Sequence, residues 1–91
     1  MDKPIEWNPD KNRTLKALRG ITFEEAAEAI KRGDIITITD HYNPNKYPRQ
    51  RIYYLSIRGY IHMVPFVEDE EKIFLKTIIP SRKANKQYKS K

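Results

Sequence analysis

At Gly33 the spacing of apolar residues changes from a helical period to a strand-like one, and this break constrains the fold more than any other feature. Upstream, Thr22-Phe23-Glu24-Glu25 reads as a capping box, in which the Thr hydroxyl and the Glu25 carboxylate each answer a free backbone donor. Phe23, Ala26, Ala27 and Ile30 then fall on one stripe, and Lys31-Arg32-Gly33 closes the helix. Downstream, Ile35-Ile36-Thr37-Ile38-Thr39 is β-branched throughout and predicts a strand. A chain of 91 residues can bury one core and not two. Helix and strand must share it, which points to a single α+β domain.

Local chemistry fills in the remaining elements. Ile5-Glu6-Trp7 is a short strand candidate. Asn8 is a favoured N-cap and Pro9 suits a first helical position, so residues 9–18 form a helix. Leu15 and Leu18 are expected on one face of it, with Gly20 as a left-handed C-cap. Asp40 to Arg49, with Asn43-Pro44-Asn45 and Tyr47-Pro48, predicts a loop. Ile52 to Ile57 and Tyr60 to Phe66 predict a hairpin turning at Arg58-Gly59. Pro65 cannot donate to a ladder and is expected at an edge or bulge. Glu68 to Glu71 reads as a turn, Lys72 to Ile79 as a last strand, and Pro80-Ser81 as the start of a short basic helix or tail. The expected architecture is two N-terminal helices on one face of a mostly antiparallel sheet of four to five strands, the other face left open.

Charge is placed unevenly along this chain. Residues 1–40 hold seven basic and eight acidic side chains, whereas residues 41–91 hold eleven basic and four acidic. Those four acids sit together at Glu68-Asp69-Glu70-Glu71, and from Lys72 onward there are seven basic residues and no acid. Such a distribution favours a polyanion, because Lys and Arg contacts to phosphate supply most non-specific nucleic-acid affinity. An acidic protein partner is the alternative. No apolar run approaches the ~20 residues of a membrane helix, and the start of the chain has no apolar signal segment, so a cytoplasmic protein with no membrane partner is expected. Without cysteine there is no disulfide framework, thiol nucleophile or cysteine-based zinc site.

The only carboxylate cluster, Glu68 to Glu71, reads as a solvated turn, so no metal site and no cofactor are expected. No Gly-x-Ser-x-Gly turn or glycine-rich phosphate loop occurs. RNA cleavage without a metal remains, since the substrate's own 2′-OH is the nucleophile. The protein then supplies a base, an acid and cations for the charge that builds at phosphorus. Candidates for proton transfer are His41, whose Asn/Pro-rich loop is expected to face it to solvent, Lys76 and Tyr88. His62, in a strand, reads as packing or as a structural hydrogen bond. Arg51, Arg58 and Lys76 are candidate phosphate clamps, and Tyr88 lies in a segment polar enough to leave its ring free to stack on a base.

Three segments in register resemble the BrnT family of toxins: Trp7-Asn8-Pro9-Asp10-Lys11, Gly20-Ile21-Thr22-Phe23-Glu24-Glu25-Ala26 and Ile78-Ile79-Pro80-Ser81-Arg82-Lys83-Ala84. The resemblance implies a RelE-like ribonuclease fold and a toxin that stops growth and translation by cutting RNA. It implies a DNA-binding antitoxin as partner, with operator DNA reached only through the complex. Carried over by position, it makes Lys11, Arg51 and Arg82 site residues, to which Ser81, Lys83, Lys86 and Arg58 are added as substrate contacts. Where the family has a Lys-His pair before its second helix this chain has Leu18-Arg19, and Thr77 stands where an Arg is often found. The reading that competes with a ribonuclease is therefore a non-catalytic nucleic-acid-binding or antitoxin-binding module.

Overall fold

The computed structural model describes residues 3–89; Met1, Asp2, Ser90 and Lys91 lie outside the described residues. The element order is β1 (Ile5–Trp7), α1 (Pro9–Arg19), α2 (Phe23–Arg32), β2 (Ile35–Asp40), β3 (Arg51–Ile57), β4 (Tyr60–Glu68), β5 (Ile73–Leu75), β6 (Ile79–Pro80) and α3 (Arg82–Lys89). This is an α+β fold whose helices begin and end where the capping chemistry places them. Asn8 accepts from the backbone N–H groups of Asp10 and Lys11 at 2.8 and 3.2 Å. Gly20 and Gly33 take left-handed φ values of 69° and 81°, which close α1 and α2 at little steric cost. The Thr22 hydroxyl accepts from the Glu25 N–H, but the Glu25 carboxylate does not return to the backbone; it takes the Arg58 guanidinium instead, at 2.7 and 2.8 Å. Asn12 joins the helices, donating to Glu24 at 2.8 Å and accepting the Phe23 N–H at 2.7 Å.

Among the described residues the sheet has six strands in the order β1-β5-β4-β3-β2, with β6 beside β4. It is mixed, because β1 runs parallel to β5 while the other pairs are antiparallel. One face lies under α1 and α2, where Tyr53, Leu55, Ile57, Val64, Phe66 and Leu75 pack with Leu15, Phe23, Ala26 and Ala29. Leu18 does not join them. Set roughly 60° round the helix from Leu15, it is 77% exposed.

Pro65 is neither on an edge strand nor at a bulge. It pairs in register with Ile52 in β4, a strand flanked on both sides. Within a strand a residue's N–H and C=O point the same way. The Pro65 carbonyl accepts the Lys76 N–H at 2.8 Å, so its missing donor faces residues 76–78. Those residues leave the ladder, and the expected strand from Lys72 to Ile79 is split into β5 and β6. The face opposite α1 and α2 is also not left open: Ile52 and Ile61, which point to it, are fully buried.

Candidate functional site

Helix α3 is anchored on that second face. The Ser81 hydroxyl accepts the Ala84 N–H at 3.1 Å, capping the helix start. Asn85 then substitutes for a strand: its amide oxygen accepts the Ile61 N–H at 2.9 Å, and its amide nitrogen donates to the carbonyls of Ile61 and Ser81 at 3.1 and 2.7 Å. Ala84 is buried in the seam. The rest of the helix is basic and outward. Arg82, Lys83 and Lys86 are exposed, and none forms an ion pair among the described residues.

Between α3 and the sheet lies a cleft of about 340 Å³, lined by Thr39, Tyr42, Tyr54, Met63, Ser81, Lys83, Ala84, Gln87 and Tyr88. Strand register explains the floor, since Tyr54 pairs with Met63 and with Thr37, two residues before Thr39, so these side chains emerge on one face. The loop from 41 to 50 supplies Tyr42. His41, at its base, is buried rather than facing solvent. Its Nδ1 accepts the Asn43 N–H at 3.0 Å, its backbone N–H donates to Gln50, and its ring packs on Tyr42 and Tyr47 at 4.3 and 4.5 Å. With Nδ1 engaged as an acceptor, His41 holds the loop in shape.

A second cavity, of about 510 Å³, brings Lys11 and Lys76 together with Asn8, Asp10, Thr14 and Phe74. Lys76 lies 5.5 Å over the Phe74 ring. Phe74 pairs with Val67, while Asp10, Lys11 and Thr14 belong to α1, so this cavity lies where α1 meets the β1–β5 edge of the sheet, apart from the α3 cleft.

Other expected residues lie elsewhere. Arg51 pairs with Phe66 on the α1/α2 side and meets Asp40 at 3.6 Å. Arg58 sits at the β3–β4 turn, tied to Glu25. His62 faces the α1/α2 side, half-buried, with Nδ1 3.0 Å from the Tyr60 carbonyl. Burial holds its imidazole below the ordinary value, a shift that the Tyr60 carbonyl opposes. Sequence reasoning missed Thr39, Tyr42, Tyr54, Gln87 and Asn85. The alternation in β3 was a usable signal for Tyr54, while the others depend on where α3 and the loop come to rest.

Across residues 7–87 the chain matches the family described as ribonuclease toxin, BrnT, of type II toxin–antitoxin systems. The chain belongs to the BrnT family. No curated protein and no solved structure matches it. The match runs from Trp7, ahead of the Lys11 cavity, to Gln87 in the α3 cleft, so it takes in every residue that lines the two cavities of this BrnT-family chain except Tyr88. Among the described residues no group of three His, Cys, Asp or Glu is placed to hold a metal ion, and no helix is long and apolar enough to cross a membrane.

Proposed function

We propose that this chain is a toxin that cleaves RNA in the α3 cleft, on the sheet face opposite α1 and α2. One observation carries the reading: a helix with no acid, whose Arg82, Lys83 and Lys86 are exposed and form no ion pair among the described residues, borders a tyrosine-lined cleft on that face. Cations without internal partners are available to phosphate, and tyrosine rings are available to bases. Membership of a ribonuclease toxin family supports the same substrate. The reading takes the arrangement as RelE-like, with helices preceding the central hairpin and a basic helix following it. Its partner is a DNA-binding antitoxin, through which the complex reaches operator DNA.

The chemistry is intramolecular transfer. A base removes the proton of the 2′-OH, and the 2′ oxygen attacks the adjacent phosphorus. The bond to the 5′ oxygen breaks, and that oxygen takes a proton, leaving a 2′,3′-cyclic phosphate and a 5′-OH. Lys83 and Tyr88, which line the cleft, are the proton-transfer pair in this scheme, and Arg82 balances the charge gathering on the phosphoryl oxygens. Lys11 and Lys76, brought together in the second cavity, are further cations for the RNA backbone. No step requires a metal. His41, Arg51 and Arg58 have no part in it, because each is engaged away from the cleft cations.

The test is incubation of the purified chain with total RNA in EDTA, beside Arg82→Ala, with end analysis of the products. The expected result is cleavage by the wild type, cyclic phosphate ends, and a loss of about 100-fold or more in Arg82→Ala. If RNA remains intact both free and on translating ribosomes, the catalytic reading fails and the binding-module reading takes its place.

A further inference from the structure

Tyr42 is the most conspicuous side chain that the catalytic scheme leaves without a role. It is 72% exposed, yet the loop that carries it is tied down on either side. His41, directly before it, is 6% exposed, is packed against both Tyr42 and Tyr47, and accepts the Asn43 N–H. Tyr47 N–H in turn donates to Asn43, and Gln50 N–H to Tyr47, so the loop is closed on itself by its own hydrogen bonds. An exposed ring on an ordered base is a stacking surface whose ordering entropy is already spent in folding. That ring borders the same cleft as Tyr88 and Tyr54, where Thr39 and Gln87 offer hydrogen-bonding groups.

On the reading that the face binds RNA, we infer that the cleft takes one unstacked base of a single-stranded RNA, stacked on Tyr42 and read by Gln87 and Thr39. Its volume of about 340 Å³ is at the small end of ligand pockets, which run from ~300 to ~1,000 Å³. Base edges are legible to side chains where the strand is splayed, because the A-form major groove is too narrow to enter. Tyr42 is thus a binding and specificity residue, and His41 is a positioning residue acting through it. The cleft selects single strands, loops and bulges over duplex.

The experiment uses the full chain and a labelled single-stranded 2′-O-methyl oligonucleotide, which lacks the attacking hydroxyl, with affinity read by fluorescence anisotropy. Stacking on an aromatic ring is worth ~1–3 kcal/mol per base. Tyr42→Ala is therefore expected to weaken single-strand binding by roughly 5- to 150-fold. Tyr42→Phe, which keeps the ring, recovers most of that loss, and affinity for the matching duplex changes less than about twofold. Tyr88→Ala, on the helix wall of the cleft, gives a loss of the same order and serves if Tyr42→Ala disturbs the loop. Unchanged single-strand affinity in both variants overturns the inference, as does an equal loss on duplex, which would mark backbone contact instead of stacking. Wild type that binds the oligonucleotide through Tyr42 but never cuts RNA would sink the ribonuclease and leave the base pocket standing. Wild type that does not bind it sinks both.

Discussion

Helices α2 and α3 are of similar length and are both amphipathic, yet they do opposite work. Helix α2 has a closed cap at each end, balances Glu24, Glu25 and Glu28 against Lys31 and Arg32, and buries Phe23, Ala26, Ala27 and Ala29 under the sheet. Helix α3 carries four cations and no acid, buries Ala84, and is fixed to β4 by one asparagine. The first spends its side chains on the core. The second spends one turn on attachment and leaves Arg82, Lys83 and Lys86 facing outward. An apolar stripe says that a helix has an inner side; what occupies the outer side tells whether the helix stabilises or binds.

The largest effect follows from the first of these roles. Phe23 is fully buried and stacks on Trp7 with ring centroids 5.8 Å apart. Phe23→Ala should lower the unfolding free energy by about 3–5 kcal/mol in a denaturant titration, from lost transfer energy and the cavity left behind. For a domain of this size that is a large share of the total. A loss under about 1 kcal/mol would mean that α2 is no more central than α3.

Asn85→Ala addresses the second helix. It leaves the Ile61 N–H buried without its partner, a cost of about 1–3 kcal/mol, and removes the two amide donations that hold α3 down. The expected signature is regional. Hydrogen exchange at the amides of residues 82–88 accelerates, that of α2 does not, and RNA cleavage falls. If exchange rises equally in both helices, α3 is part of the common core and the contrast collapses.

The difference between the helices also explains what was legible beforehand. The capping box, the Gly33 stop and the stripe through Phe23 are local signals, and α2 appears as written, with Ala29 rather than Ile30 among its fully buried residues. The hairpin at Arg58-Gly59 was legible because its turn is local too. The break between β5 and β6 was not, since its cause, Pro65, lies on another strand more than ten residues away in sequence. The α3 cleft needed three distant pieces, the loop at 41–42, Tyr54 and Met63, and residues 81–88, to meet at one surface. Of these only the basic run and Tyr88 stood out in the sequence. His41 was misplaced for the same reason: an Asn/Pro-rich loop reads as solvent-facing, and its burial comes from Tyr42, Tyr47 and Asn43 folding back on it.

A smaller effect separates the two faces by pH. His62 lies on the α1/α2 side, and burial depresses its imidazole below the ordinary 6.5. As pH falls through 6.5 the unfolded chain takes up this proton before the folded one does, so protonation favours unfolding. Stability from this group is complete above about pH 6.5 and is lost as pH drops through the lower folded value. Thermal melts between pH 7 and 5 should show a shallower decline for His62→Gln than for the wild type. Parallel declines would assign the acid sensitivity to other groups.

The smallest effect tests the contact that ties α2 to the hairpin. Arg58 and Glu25 form a two-pronged ion pair, but the Arg58 side chain is 64% exposed. Such pairs are worth about 0–1 kcal/mol. Arg58 also carries a cost of its own: its φ of 55° is left-handed, and with Gly59 at 76° it forms a turn in which both central residues have positive φ. Asn tolerates that conformation, and Asn-Gly is the favoured pair for it. Glu25→Gln therefore loses the charge pair and gains nothing, whereas Arg58→Asn loses the same pair and relieves the turn. Chemical denaturation should rank Arg58→Asn above Glu25→Gln, with both within about 1 kcal/mol of the wild type. The reverse ranking would show that the ion pair outweighs the backbone, and that α2 depends on a charged contact where α3 depends on a neutral amide.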